Sequence, residues 1–144
     1  MKIIAVEKQD LVALYQLEND LFGHHAYPGF FFRQAFDCWQ NGLLIAKEDD
    51  QIAGYVLMAQ SDEAKTHWIL SLAVGSEYRG KGIARLLVEQ VLNQVNVSDL
   101  VKLTVDPNNA PACRLYRSLG FEVVKEEANY FGDGEARLVM QLTR

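Results

Sequence analysis

No run of roughly eighteen consecutive apolar residues occurs in this chain, so no segment is suited to cross a bilayer as a helix, and no membrane partner is expected. Only two cysteines are present, Cys38 and Cys113, too few for a disulfide scaffold and without C-x-x-C spacing. Reduced, partly buried thiols are the expectation, and no metal site is expected. Positive charge is in short supply as well. Lys and Arg number 14 against 19 Asp and Glu, giving a net charge of -5, so the excess cation that displaces phosphate counterions is missing and no nucleic-acid partner is expected. An acidic surface would instead steer a cationic substrate. There is no internal repeat, low-complexity tract or linker, and residues 1–7, MKIIAVE, are too short and too soon charged for a secretory signal. What remains is a single domain over residues 1–144, cytoplasmic, with 49% hydrophobic and 23% charged residues and enough length to bury a core.

The most informative stretch is residues 68–87, WILSLAVGSEYRGKGIARLL. Trp68, Ile69, Leu70, Leu72, Ala73 and Val74 form an apolar run of the kind expected for a strand covered on both faces. Gly75, Ser76 and Glu77 break it. From Gly82 the apolar positions take helical spacing, with Ile83, Ala84, Leu87, Val88, Val91, Leu92 and Val95 on one face. The first turn of such a helix carries N–H groups without intrahelical acceptors and the positive end of the helix dipole. Gly80 and Gly82 add no side chain to keep an anion from the backbone, and Arg79, Lys81 and Arg85 add positive charge, so a phosphate or pyrophosphate would fit. A dinucleotide fingerprint would need a third glycine where Arg85 stands, and the G-x-x-x-x-G-K-[ST] loop is absent.

Periodicity and turn residues order the rest of the chain. A strand is predicted over residues 2–6, then a helix capped by Asp10 that runs to Leu21 and ends at Gly23. Pro28 suits the first turn of a second helix, 29–40, closed by Asn41 and Gly42. Two strands, 43–47 and 51–60, flank the polar turn at Glu48, Asp49 and Asp50, and Gly54 inside the second suggests a bulge or close packing. The strand 66–74 and the helix to Val95 follow, then a strand at 100–105. Asp106 to Asn109 supply a turn and caps for a helix through Tyr116 that Gly120 closes, before strands at 121–125 and 137–142. This succession predicts an α/β (mixed α+β) fold in which helices flank a mixed sheet.

Arg79, Gly82 and Ala84 match the pyrophosphate motif [QR]-x-x-G-x-[GA] of the GNAT N-acetyltransferase superfamily. Asn109, Ala112, Leu115, Tyr116, Leu119, Gly120 and Phe121 resemble its N-x-x-A-x-x-L-Y-x-x-L-G-F segment at every fixed position. The likeness covers roughly residues 45–142, and its later motifs are most similar to the ribosomal-protein alanine N-acetyltransferase subgroup. It implies a central, mostly antiparallel sheet of about six to seven strands, splayed in the middle between the strands ending at Val74 and Val105, with about four helices. It implies acetyl-CoA as cofactor and an amine acceptor, either a protein or peptide N-terminus or a small molecule. Monomers and homodimers are both compatible with it.

Residue roles follow from the resemblance. Residues Arg79, Gly80, Lys81, Gly82, Ile83, Ala84 and Arg85 would hold the pyrophosphate, the backbone of Leu72, Ala73 and Val74 would pair with the amide-like pantetheine arm, and Asn109 would help fix that arm. Tyr116 takes the position of the family tyrosine that protonates the leaving thiolate. Tyr27, Phe31 and Phe32 are candidates for the acceptor cleft, and so is Tyr130 in the tail that resembles the subgroup's C-terminal pattern. The subgroup's basic glutamate falls on Thr104, which cannot act as a base. His67, a water chain past Ser71, Asp106 and Glu18 stay open for that role. A non-catalytic CoA or acyl-CoA sensor is the alternative to an enzyme.

Overall fold

The computed structural model describes residues 1–144. Its strands are β1 (Lys2–Ala5), β2 (Leu43–Glu48), β3 (Gln51–Gln60), β4 (Thr66–Val74), β5 (Leu100–Val105), β6 (Glu122–Glu127) and β7 (Arg137–Thr143). Its helices are α1 (Leu11–Phe22), α2 (Gly29–Cys38), α3 (Ile83–Leu92) and α4 (Ala110–Ser118). The seven strands form one sheet in the order β1-β2-β3-β4-β5-β7-β6. Pairing is antiparallel for β1 with β2, β2 with β3, β5 with β7 and β6 with β7, and parallel for β4 with β5. The parallel register runs from Thr66↔Leu100 to Ile69↔Leu103, and β4 continues past it to Val74. This is the mixed, mostly antiparallel architecture expected from the sequence.

The chain forms two compact units, Met1–Ala59 with Ser71–Gln94, and Gln60–Leu70 with Val95–Arg144. In the first, Leu14 of α1 and Phe32 and Ala35 of α2 pack on Leu43 and Ile45 of β2, Tyr55 and Leu57 of β3 and Ala73 of β4. Helix α3 buries Leu87, Val88 and Val91 and lies against β2, so residues 43–46 are all buried, as a strand covered on both faces requires. Each fully buried leucine or phenylalanine contributes roughly 1.5–3 kcal/mol. Gly54 does both things its position suggested. The β2–β3 register shifts between Ala46 and Lys47 opposite it, and a Cβ at residue 54 would lie 2.6 Å from the Ala73 carbonyl oxygen.

In the second unit, β5 alternates buried Val101, Leu103 and Val105 with half-exposed Lys102 and Thr104, the pattern of a strand with one covered face. Met140 of β7, Phe121, and Cys113 and Tyr116 of α4 complete that core.

Element ends differ from the sequence expectation where capping intervenes. Helix α2 stops at Cys38 rather than residue 40, because Trp39 leaves helical geometry (φ −135°, ψ 45°) and a tight turn, Gln40–Gly42, follows. Helix α3 stops at Leu92 rather than Val95, and the Gln94 N–H turns back to the Val91 carbonyl. Strand β6 starts one residue later than expected because the Phe121 N–H caps α4 through the Tyr116 carbonyl. Asp10 stands at the start of α1 without bonding it. Its carboxylate accepts from the Glu7 N–H at 3.0 Å and pairs with Lys47 at 2.9 Å. Strand β4 is not covered on both faces, since only Thr66, Ile69 and Ala73 are buried and Leu70 is exposed. Both cysteines are free, with Cys113 buried and Cys38 exposed rather than partly buried.

Candidate active site

In the first unit β4 ends at Val74, a short turn of Ser76–Tyr78 follows, and α3 starts after Gly82. Gly80 and Gly82 have φ of +78° and +77°, left-handed geometry that glycine adopts without the strain of a side chain, and a Cβ on either would point into open space. The two glycines therefore line an open cradle that side chains would fill. The first bond of α3 runs from the Leu86 N–H to the Gly82 carbonyl, which leaves the amides of Ile83 and Ala84 at the open end of the helix. The Ile83 side chain is buried, so only its backbone can serve a ligand. Around the cradle Arg79 is exposed, with a long 3.4 Å bond from Nε to the Val74 carbonyl, Lys81 lies 5.6 Å from the Tyr78 ring centroid, and Arg85 is half-buried. A diphosphate fits this set: bare amides, the positive end of a ten-residue helix and three cationic side chains.

The same unit holds a buried polar chain. Glu18 of α1 is 2% exposed, and its Oε1 accepts a hydrogen bond of 2.6 Å from the Tyr55 hydroxyl of β3, while Oε2 accepts one of 2.9 Å from the Tyr27 N–H. The Tyr55 oxygen lies 2.6 Å from Ser71 Oγ of β4. Burial first, and the neighbouring Glu18 second, hold both the Tyr27 and the Tyr55 phenols above the ordinary tyrosine range. Tyr27 stacks on Phe31 with centroids 4.3 Å apart, and both are half-buried. Phe32, the third candidate for the acceptor cleft, is fully buried edge-on to Tyr55 at 5.6 Å and is a core ring behind them.

In the second unit Asn109 caps α4: its side-chain oxygen accepts from the Ala112 N–H at 3.2 Å while its amide group is exposed. Tyr116 lies two turns further on, 6% exposed and edge-on to Phe121 at 5.7 Å. Burial first, then Cys113, push its phenol up to about 12, and it carries its proton at neutral pH. Tyr130 is half-buried and edge-on to Phe131 at 4.7 Å.

Several open choices for the base narrow. The His67 Nε2 faces Asp99 at 3.6 Å. The exposed Asp106 carboxylate accepts from the Asn108 N–H at 2.9 Å, a turn-forming role. Glu18 and Ser71 are brought together, by Tyr55, a residue of β3 that the sequence reading did not single out. The available signal was a pair of polar groups on buried faces: a carboxylate one turn after Leu14 on α1 and a hydroxyl inside the apolar run of β3.

The first unit thus offers an anion cradle at a helix start, and the second a protonated, buried phenol on α4. Comparison with known proteins gives the family. Residues 11–121 match the Acetyltransferase (GNAT) family, to which the chain therefore belongs; it is an acetyl-CoA-dependent N-acetyltransferase. It is 32% identical over 129 residues, 79% of this chain and 76% of the relative, to an N-alpha-acetyltransferase of Saccharolobus solfataricus. It is 30% identical over 128 residues, 85% and 81% of the two chains, to the ribosomal protein bS18-alanine N-acetyltransferase of Salmonella typhimurium. Among solved structures, Arabidopsis thaliana Naa50 in complex with the bisubstrate analogue CoA-Ac-MVNAL shares the fold, with a TM-score of 0.84 at 23% identity over 99% of this chain and 98% of that one. No helix is long and apolar enough to cross a membrane.

Proposed function

We propose that the acceptor is the α-amino group at the N-terminus of a peptide or protein. The observation that carries this choice over a small amine is the likeness, at 32% and 30% identity, to enzymes named for N-alpha and alanine N-acetylation. The stacked rings of Tyr27, just before α2, and Phe31, in its first turn, suit the first side chains of such a peptide. Acetyl-CoA supplies the acetyl group as a thioester. In this reading the amides and cations of residues 79–85 hold its diphosphate, the backbone of Leu72, Ala73 and Val74 hydrogen-bonds the arm, and the exposed amide of Asn109 adds a donor. Tyr116, protonated at neutral pH, gives its proton to the departing thiolate. The family match runs through both compact units, which supports treating the chain as one catalytic domain. Free thiols at Cys38 and Cys113 suit a reducing compartment, and the cytoplasm is the proposed place of action.

The test is thiol release from acetyl-CoA against peptides with free N-termini, the same peptides with blocked N-termini, and small amines. Turnover confined to free N-termini is expected. Preference for small amines would overturn the acceptor, and CoA binding without turnover of any amine would favour a sensor.

A further inference from the structure

The geometry points to a proton relay, Ser71 to Tyr55 to Glu18, that takes up the proton the acceptor amine must lose before it can attack; the inference rests on the acetyl-transfer reading given above. Directionality follows from the hydrogen-bonding inventory. A tyrosine hydroxyl has one proton, and Tyr55 gives it to Glu18 Oε1 at 2.6 Å. The 2.6 Å contact with Ser71 must then be donated by Ser71 Oγ–H, whose own lone pairs remain to accept. Both links are short, and the chain runs from a sealed end to an open one: Glu18 is 2% exposed, whereas Ser71 is half-buried and directly precedes Leu72 on β4.

The groups facing Glu18 are Tyr27 from the segment before α2, Tyr55 from β3 and, through it, Ser71 from β4; no Lys, Arg or His pairs with it. A carboxylate so placed is stabilised by neutral donors alone, and gaining a proton breaks no ion pair. The step balances. The ammonium N–H bond breaks as Ser71 Oγ gains that proton, the Ser71 proton moves to Tyr55 Oη, and the Tyr55 proton moves to Glu18. The products are a neutral amine, two restored hydroxyls and a protonated carboxyl, which later returns its proton to solvent along the same path.

Ser71→Ala is the decisive variant, because a half-buried serine can be removed without opening the core. An N-terminal amine has a pKa of roughly 8, so at pH 7 only about one molecule in ten is already neutral. With saturating acetyl-CoA and peptide, Ser71→Ala should lose about tenfold in kcat at pH 7 and nearly nothing at pH 9, Ser71→Thr should restore the rate, and calorimetric CoA affinity should stay at the wild-type value. A loss equal at both pH values would mark a structural role and overturn the relay, as would no loss. A second reading needs no turnover: in the free enzyme, NMR exchange of the Tyr55 hydroxyl proton should slow at least tenfold in Ser71→Ala, and unchanged exchange would refute the path. If the wild-type protein acetylates no amine, the acetyl-transfer reading fails, while this exchange measurement still judges the relay.

Discussion

Replacing Gly82 by Asp, with Asn and Ala as companions, separates charge from shape at the proposed diphosphate site. At φ +77° any L-residue other than glycine carries strain of roughly 1–2 kcal/mol, and nothing lies within 4 Å of the added Cβ, so no clash adds to it. Asn tolerates left-handed geometry better than Ala, and Asp is nearly its isostere. All three unliganded variants should therefore melt only a few degrees below wild type, at about 2–4 °C per kcal/mol. Coenzyme binding should divide them. A carboxylate about 5 Å from a diphosphate charge costs roughly 3 kcal/mol at an effective dielectric constant near 20. Calorimetric CoA affinity should then fall by about a hundredfold more in Gly82→Asp than in Gly82→Asn, and the gap should narrow in 1 M salt. Equal affinity for Asp and Asn would mean that no anionic group sits over this turn.

Three further outcomes follow from the same structure. Tyr116→Phe should lower kcat by about 10²–10⁴ with little change in CoA affinity, measured by thiol release and calorimetry; unaltered turnover would remove it from the acid role. Because the Tyr116 phenol is raised from 10.0 to about 12, the unfolded chain loses this proton first as pH rises. Its contribution to stability should be complete below pH 10 and fall between 10 and 12, by up to about 3 kcal/mol, and Tyr116→Phe should flatten that decline in urea titrations. Gly54→Ala should destabilise by about 1–3 kcal/mol, since its Cβ would press on the Ala73 carbonyl at 2.6 Å and force β3 and the end of β4 apart; an unchanged urea midpoint would contradict the packing described.

The cradle at residues 79–84 was legible in the sequence because its chemistry is local: glycine spacing, a change of hydrophobic period and adjacent cations lie within a few residues of one another. The placement of Asn109 and Tyr116 was legible for a similar reason, since Asn109 caps the helix that carries Tyr116. The proton path was not, because Glu18 and Tyr55 are 37 residues apart and Tyr55 and Ser71 a further 16, on three elements that only tertiary packing brings together. Tyr55 was hidden inside an apolar strand where an aromatic ring is the ordinary filling. Phe32 shows the converse error: it shares with Ala35, Phe36 and Trp39 the i, i+3, i+4, i+7 face that packs on the core, while Phe30 points to solvent. Helix ends moved by a few residues where a single backbone cap, such as the Phe121 N–H on the Tyr116 carbonyl, decided the boundary.

Co-crystallisation with coenzyme A puts the whole account at risk in one step. Diphosphate oxygens should be found within about 3 Å of the backbone amides at residues 80–84, with the thiol end directed toward the Tyr116 hydroxyl. Coenzyme bound on another face of the protein, or crystals that never take it up at saturating concentration, would contradict it.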